Sequence, residues 1–202
     1  MNASYGILIL QENIDKIPVL SDHTMMGVCG PNCDITNYAN VLQQHIQTYH
    51  YQNNQTISLS VAAQANYARD VLATALRRGP YQVDLLIGGV DAKTKESSLY
   101  WIDYLGTLQK VNYGCQGYCT QFCLSIMDEQ YNVNIKMTKE DAIRIIQMCI
   151  NEVQKRFLPQ QKHFIIKCME YDPTANDDGV DENINNKIKT SIVSFGNDPA
   201  DN

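Results

Sequence analysis

Cys115, Cys119 and Cys123 recur every four residues, a spacing that on a helix places three thiols on one face. Three thiols are one short of the four ligands that close a structural zinc site, and such sites usually take ligand pairs from turns. The stripe is therefore read as buried cysteines acting as small hydrophobes. Seven cysteines in all, without a CxxC pair or a secretory signal, predict reduced thiols. His23, His45, His50 and His163 are scattered and lie near no cysteine and acid in a protease signature. Gly88-Gly89 has no GxGxxG or GxxxxGK[ST] context, so it predicts no phosphate loop. Asp172, Asp177, Asp178, Asp181 and Glu182 lack the alternating ligands and central glycine of a calcium loop. They predict an exposed, mobile, acidic connection over 172–186. No metal and no cofactor is expected.

The elements that position these residues follow from composition and period. With 202 residues, 44% hydrophobic and 19% charged, the chain can build one sizeable core, and a single domain over 1–202 is the default expectation. The net charge of −6 falls mainly in the acidic stretch, and clustered Lys and Arg, the footprint of nucleic-acid binding, are missing. No apolar run approaches the roughly 18 residues of a spanning helix. The start MNASYGILILQENIDK has no basic region ahead of its apolar stretch and no small-residue cleavage pattern, which argues against a secretory route.

Ile17–Leu20 and Thr24–Cys29 read as strands turning at Ser21-Asp22. Ile35, Tyr38, Ala39, Leu42, Ile46 and Tyr49 then mark one apolar face of a helix. A second helix has Ser58 or Ser60 as cap, the stripe Val61, Ala65, Ala68, Leu72, Ala75 and Leu76, and Arg77-Arg78-Gly79-Pro80 as stop signal, with Gly79 able to turn left-handed. Val83–Val90 is an almost continuous apolar run, expected to be a strand buried on both faces. Leu99–Tyr104 and Leu108–Val111 follow as strands turning at Gly106. Tyr118–Tyr131 and Thr138–Phe157 read as helices, the latter with Thr138 and Asp141 in capping-box spacing. Phe164–Met169 and Ile188–Phe195 close the chain as strands. Paired helices between blocks of strands predict an α+β fold, best satisfied by a four-layer αββα sandwich.

Several of these strings, in this order, carry a family resemblance. PYQVDLLIGGVDAKTKESSLYWIDYLGTLQKVNYG, with its Tyr100-Trp101-Ile102-Asp103-Tyr104-Leu105, resembles the central strands of 20S proteasome β subunits. GYCTQFCLSIMDEQY and INEVQKRF resemble the start of the third helix and the end of the fourth, and DKIPVLSDHTMMGVCG an early strand pair. Within the family the chain is most similar to the beta type-2 branch, the fourth position of the eukaryotic β ring. The resemblance implies a fold of the N-terminal nucleophile hydrolase type. It also implies other β subunits of the same ring, α-ring subunits and the opposite β ring as partners, with the helices Tyr118–Phe157 facing that opposite ring. No nucleic-acid or membrane partner is expected, and the location implied is cytoplasm and nucleus.

Active members of this family attack the peptide carbonyl with an amino-terminal threonine whose own amine handles the proton. The first threonine here is Thr24, and a cut exposing it would remove Lys16 and the strand before it. Lys16 matches the lysine that stands beside the nucleophile in active relatives. Tyr118 falls where those relatives place a supporting serine, and Arg156 near the place of a supporting acid. Catalytic groups act as a unit, so no catalytic residue is expected and Lys16 is read as structural. In the family a hairpin precedes the segment matching DKIPVLSDHTMMGVCG. Met1–Asp15 suffices only for the loop leading to Lys16, so the fold is expected to lack its first strand pair. Two other readings stay open: an active threonine hydrolase whose true amino terminus is missing, and an unrelated α+β binding module.

Overall fold

A computed structural model of the chain describes residues 3–5, 8–11, 15–54, 58–91, 93–135, 137–156, 163–171 and 188–196. They fall into two compact units. The acidic connection at 172–186 and the end of the fourth helix at Phe157 lie outside the described residues.

The larger unit, residues 16–112 and 167–193, is built on an antiparallel sheet of β3 (Val19–Ser21), β4 (Thr24–Cys29), β5 (Asp84–Val90), β6 (Ser97–Ile102) and β7 (Leu108–Val111), in that order. Between β4 and β5 the chain forms α1 (Asn32–Gln52) and α2 (Val61–Ala75). Strand period 2 and helix period 3.6 meet in one core. Met26 and Val28 from β4, Leu85 and Ile87 from β5, and Tyr100 and Ile102 from β6 pack with Tyr38, Leu42 and Ile46 of α1 and with Val61, Ala65, Ala68 and Leu72 of α2. β5 departs from the expectation of burial on both faces. Leu85 and Ile87 are buried, whereas Leu86 and Gly88 are half-buried, the alternation of an antiparallel sheet with one fully covered face. Burial falls out of that phase at the end of the strand, where Gly89 is half-buried and the last residue, Val90, is buried.

Ser60 caps α2, its hydroxyl accepting from the Ala63 amide at 3.2 Å. Ser60→Ala is expected to lower stability by about 1 kcal/mol, read as a shift of the urea midpoint at unchanged slope. The helix stops without a left-handed glycine, contrary to the sequence expectation. The Arg78 and Gly79 amides both donate to the Ala75 carbonyl, and the left-handed glycines among the described residues are Gly30, Gly106 and Gly117. Pro80 supplies the reason, since a residue before proline is pushed toward extended backbone. Gly106 does take the left-handed conformation expected of the β6–β7 turn.

The smaller unit, residues 1–15, 113–166 and 194–202, contains the packed helices α3 (Thr120–Gln130) and α4 (Lys139–Arg156). Cys123, Ile145 and Cys149 are its buried centre, with Ile126, Met127 and Val153 packed against them. The capping box before α4 closes as expected: the Asp141 amide donates to Thr138 Oγ1 at 3.2 Å and the Thr138 hydroxyl to Asp141 Oδ2 at 2.7 Å. The Thr138 hydroxyl and, after it, the Thr138 amide donate to the Asp141 carboxylate and hold it below its ordinary value. Residues 1–15, read from the sequence as only a loop, carry a short antiparallel hairpin of β1 (Ala3–Tyr5) and β2 (Leu8–Gln11). The run Ile7–Leu10 has the apolar, β-branched composition that favours strands. β8 (His163–Tyr171) and β9 (Ile188–Gly196) pair with each other as a two-stranded sheet.

Candidate functional site

Lys16 is held by backbone, on the extended segment that runs into β3. Its carbonyl accepts from the Val28 amide at 3.0 Å, and the Pro18 carbonyl from the Met26 amide at 3.0 Å. Between them the Ile17 carbonyl accepts from Lys167 Nζ at 2.7 Å. The segment is therefore fastened beside β4 and to β8, with Lys16 itself half-buried.

The threonine nearest to Lys16 in sequence is sealed. Thr24 opens β4 opposite Gly89 and is 0% exposed, and its hydroxyl has no hydrogen-bond partner among the described residues. An N-terminal nucleophile needs a free amine and an accessible hydroxyl; Thr24 offers neither, being inside a strand and buried.

Its neighbour His23 is also buried, and it is fully occupied. The imidazole Nε2 donates to the Leu59 carbonyl at 2.8 Å, leaving Nδ1 to accept from the hydroxyl of Ser21 at 3.3 Å or of Ser58 at 3.4 Å. Gln64, buried at the start of α2, donates to Ser21 Oγ at 3.1 Å and to the Leu59 carbonyl at 3.0 Å. This network ties the β3–β4 turn to the entry of α2, and it contains neither carboxylate nor thiol. Buried polar groups that satisfy one another fix a fold, and these do so without an acid, base or nucleophile in a productive chain. A small cleft of about 150 Å³ opens beside it, lined by Ser58, Leu59, Ser60, Asp91 and Lys93. His45 stacks obliquely on Tyr67, with ring centroids 5.3 Å apart.

Tyr118 and Arg156 belong to the helix-pair unit. Tyr118 precedes α3 and is 94% exposed. Arg156 ends α4, its Nε 2.8 Å from Glu152 Oε2 and its guanidinium 5.8 Å from the centre of the Phe122 ring. The same unit carries an open groove of about 480 Å³ on α3 and α4, lined by the apolar Phe122, Ile126 and Met148 and the charged Glu129, Glu152 and Arg156.

Gly88 and Gly89 lie in the middle of β5, not at a strand-to-helix turn, which removes the phosphate-loop geometry. The cysteines converge without sharing a helical face: α3 begins at Thr120, so Cys119 is its cap and Cys115 precedes it. Sequence spacing gave no sign that Cys149 on α4 joins them. Among the described residues no group of three or more His, Cys, Asp and Glu is placed to hold a metal ion. Among the same residues no helix is long and apolar enough to cross a membrane.

A family described as proteasome subunit matches residues 1–169. The chain is 38% identical over 172 residues to the probable proteasome subunit beta type-4 of Schizosaccharomyces pombe, covering 85% of this chain and 87% of that protein. It is 38% identical over 169 residues to proteasome subunit beta type-2 of Oryza sativa subsp. japonica, covering 84% and 77%. To proteasome subunit beta type-4 of Saccharomyces cerevisiae it is 36% identical over 168 residues, with 83% of each covered. The chain belongs to the proteasome subunit family, with the β-type members as its relatives. Its fold class is accordingly the α+β, N-terminal nucleophile hydrolase type that the sequence strings implied, and membership carries with it assembly with other proteasome subunits.

Proposed function

We infer that this chain is a non-catalytic, structural subunit of the β ring of the 20S proteasome core particle, working in the cytoplasm and nucleus. Its work is to complete the chamber in which proteins are degraded. The observation that carries this reading is the state of Thr24 beside the retained Lys16. The lysine matches its place in active relatives, while the nearest threonine is wholly buried inside β4. Tyr118 where the resemblance puts a serine and Arg156 where it puts an acid point the same way, because nucleophile and supporting groups are effective only together.

For partners, the reading takes like-folded β neighbours in the same ring, subunits of the α ring, and the opposite β ring. The groove on α3 and α4, lined by both apolar and charged side chains, has the mixed composition of a non-obligate interface. It supports placing this helix pair against the opposite ring. Native mass analysis of particles purified through a tag on this chain tests the assignment. The chain is expected in a large assembly with other proteasome subunits, and recovery as a monodisperse monomer would overturn it.

Lys16 favours one other reading, an active threonine hydrolase whose nucleophile is encoded upstream of Met1. Sequencing of the transcript decides between the two, since an in-frame Gly-Thr upstream would favour the enzyme.

A further inference from the structure

The β6–β7 turn has a tightly fixed backbone, and it shows two apolar side chains to solvent. The Asp103 carboxylate accepts from the Leu105 amide at 3.1 Å and the Thr107 amide at 2.7 Å, and the Asp103 carbonyl accepts from the Gly106 amide at 3.0 Å. The Tyr104 amide donates to Asp84 Oδ1, on β5, at 3.1 Å. Arg69 Nε donates to the Gly106 carbonyl at 3.3 Å and so ties the turn to α2. None of these bonds uses the side chain of Tyr104 or Leu105, which are 48% and 50% exposed. Turns are ordinarily built from glycine, proline, asparagine, aspartate and serine. A tyrosine and a leucine held half in water on a fixed backbone are suited to anchor an interface, because little freedom is left to lose on binding.

The charge beside the turn is one-sided. α2 lies against β6 and β7, and a carbon added at Gly106 would meet the Arg69 carbonyl oxygen and Ala73. Arg69 is exposed, as are Arg77 and Arg78, which follow one turn beyond Ala73 in the chain. On β7, Lys110 is exposed and lies two residues from Leu108, which packs against the core, so both belong to the face that α2 covers. Against these cations stands Asp70, the one carboxylate of α2. In a chain of net charge −6, this is a basic surface around an apolar pair. Tyrosine and arginine are also the residues in which interface hot spots are enriched.

We propose that Tyr104 and Leu105 anchor an interface with a different proteasome subunit, one that lays an apolar site flanked by carboxylates against the β6–β7 turn and the end of α2. The proposal rests on the reading of the chain as a subunit of the core particle. The apolar pair supplies the desolvated centre, and Arg77, Arg78 and Lys110 set partner choice and register. A second copy of this chain is the wrong partner for this face, because a two-fold contact sets each patch against itself and brings cations against cations.

The test uses intact particles containing the full chain. Carbodiimide, a zero-length reagent, is expected to join Lys110 to an aspartate or glutamate of another proteasome subunit. Hydroxyl-radical footprinting should show Tyr104 and Leu105 losing most of their oxidation in the native particle relative to the same particle denatured. Tyr104→Ser combined with Leu105→Ser, competing with the unaltered chain in the same cells, should lower its share of particles by roughly tenfold, the scale of one interface hot spot. Arg77→Glu with Lys110→Glu should lower that share too, and Arg77→Lys should not. The proposal is overturned if Lys110 links only to carboxylates of this chain or of a second copy, or if Tyr104 and Leu105 oxidise equally in the native and denatured particle. Those two readouts use the unmutated chain, so they do not depend on any variant folding. A chain found in particles with this turn exposed overturns the interface alone, whereas a chain found in no particle removes the subunit reading and the interface with it.

Discussion

Gly89→Ala is expected to yield no chain that incorporates into particles. Gly89 sits in β5 opposite Thr24, and a Cβ there would lie 2.1 Å from the His23 carbonyl oxygen and 3.0 Å from Thr24 Cα. Both are backbone, and neither is free to move. The His23 carbonyl accepts from the Val90 amide at 3.0 Å, while the His23 ring is anchored on the Leu59 carbonyl. Relief would require opening the β4–β5 ladder from the end where Thr24 faces Gly89, between two inner strands of the sheet, a loss of about 4 kcal/mol or more and comparable to much of a domain's stability. Gly79→Ala is the control. Nothing lies within 4 Å of the added carbon, and Gly79 is not among the left-handed glycines, so that variant should keep its stability within about 1 kcal/mol. Soluble yield, urea midpoint and recovery in purified particles are the readouts; a Gly89→Ala chain that matches Gly79→Ala in all three contradicts the account of β5.

The second large effect is expected at Tyr38, the largest of the fully buried side chains. Its ring meets Tyr81 edge-on at 5.3 Å, and its hydroxyl donates to the Ala68 carbonyl at 2.7 Å, joining α1 to α2. Tyr38→Ala should cost about 3–5 kcal/mol through lost burial and the cavity left behind. Tyr38→Phe keeps the ring and should cost about 1 kcal/mol, the net worth of one hydrogen bond. Burial, chiefly, pushes the Tyr38 phenol far above its ordinary range. The raised value makes the native contribution complete below the unfolded phenol's pKa of about 10 and progressively lost above it, because only the unfolded chain can then ionise. Unfolding followed between neutral and strongly alkaline pH should therefore show a decline in the native chain that is smaller in Tyr38→Phe. Equal declines would show that Tyr38 is not the buried phenol responsible.

Much of this core was legible in the sequence because it depends on local period. Tyr38, Leu42 and Ile46 recur at helical spacing and are buried on α1, and the α2 stripe from Val61 to Leu72 likewise faces inward. The Thr138 and Asp141 pair at the entry of α4 could be read because a capping box is complete within four residues. Features that depend on a distant partner were not legible. The need for glycine at position 89 comes from the His23 carbonyl, 66 residues earlier in the chain. The buried His23 and Gln64 network joins a turn to a helix start that no motif connects. Gly79 stays out of the left-handed region because Pro80 restricts the backbone before it as well as ending the helix.

The candidate site was legible only in part, for a related reason. Lys16, Tyr118 and Arg156 are candidates through the resemblance alone, and the burial of Thr24 was not written in the sequence around it. That burial depends on β5 running alongside β4. The spacing of Cys115, Cys119 and Cys123 suggested one helical stripe, yet their unequal burial arises where the segment before α3 meets α3 and α4.

The central claim is that this chain builds the chamber without cutting peptides, and mapping of a threonine-reactive, mechanism-based inhibitor on the intact particle tests it most directly. Adducts are expected on other β subunits, with the intact mass of this chain unchanged at full inhibition of peptidase activity. A stoichiometric adduct on any residue of this chain would contradict the account.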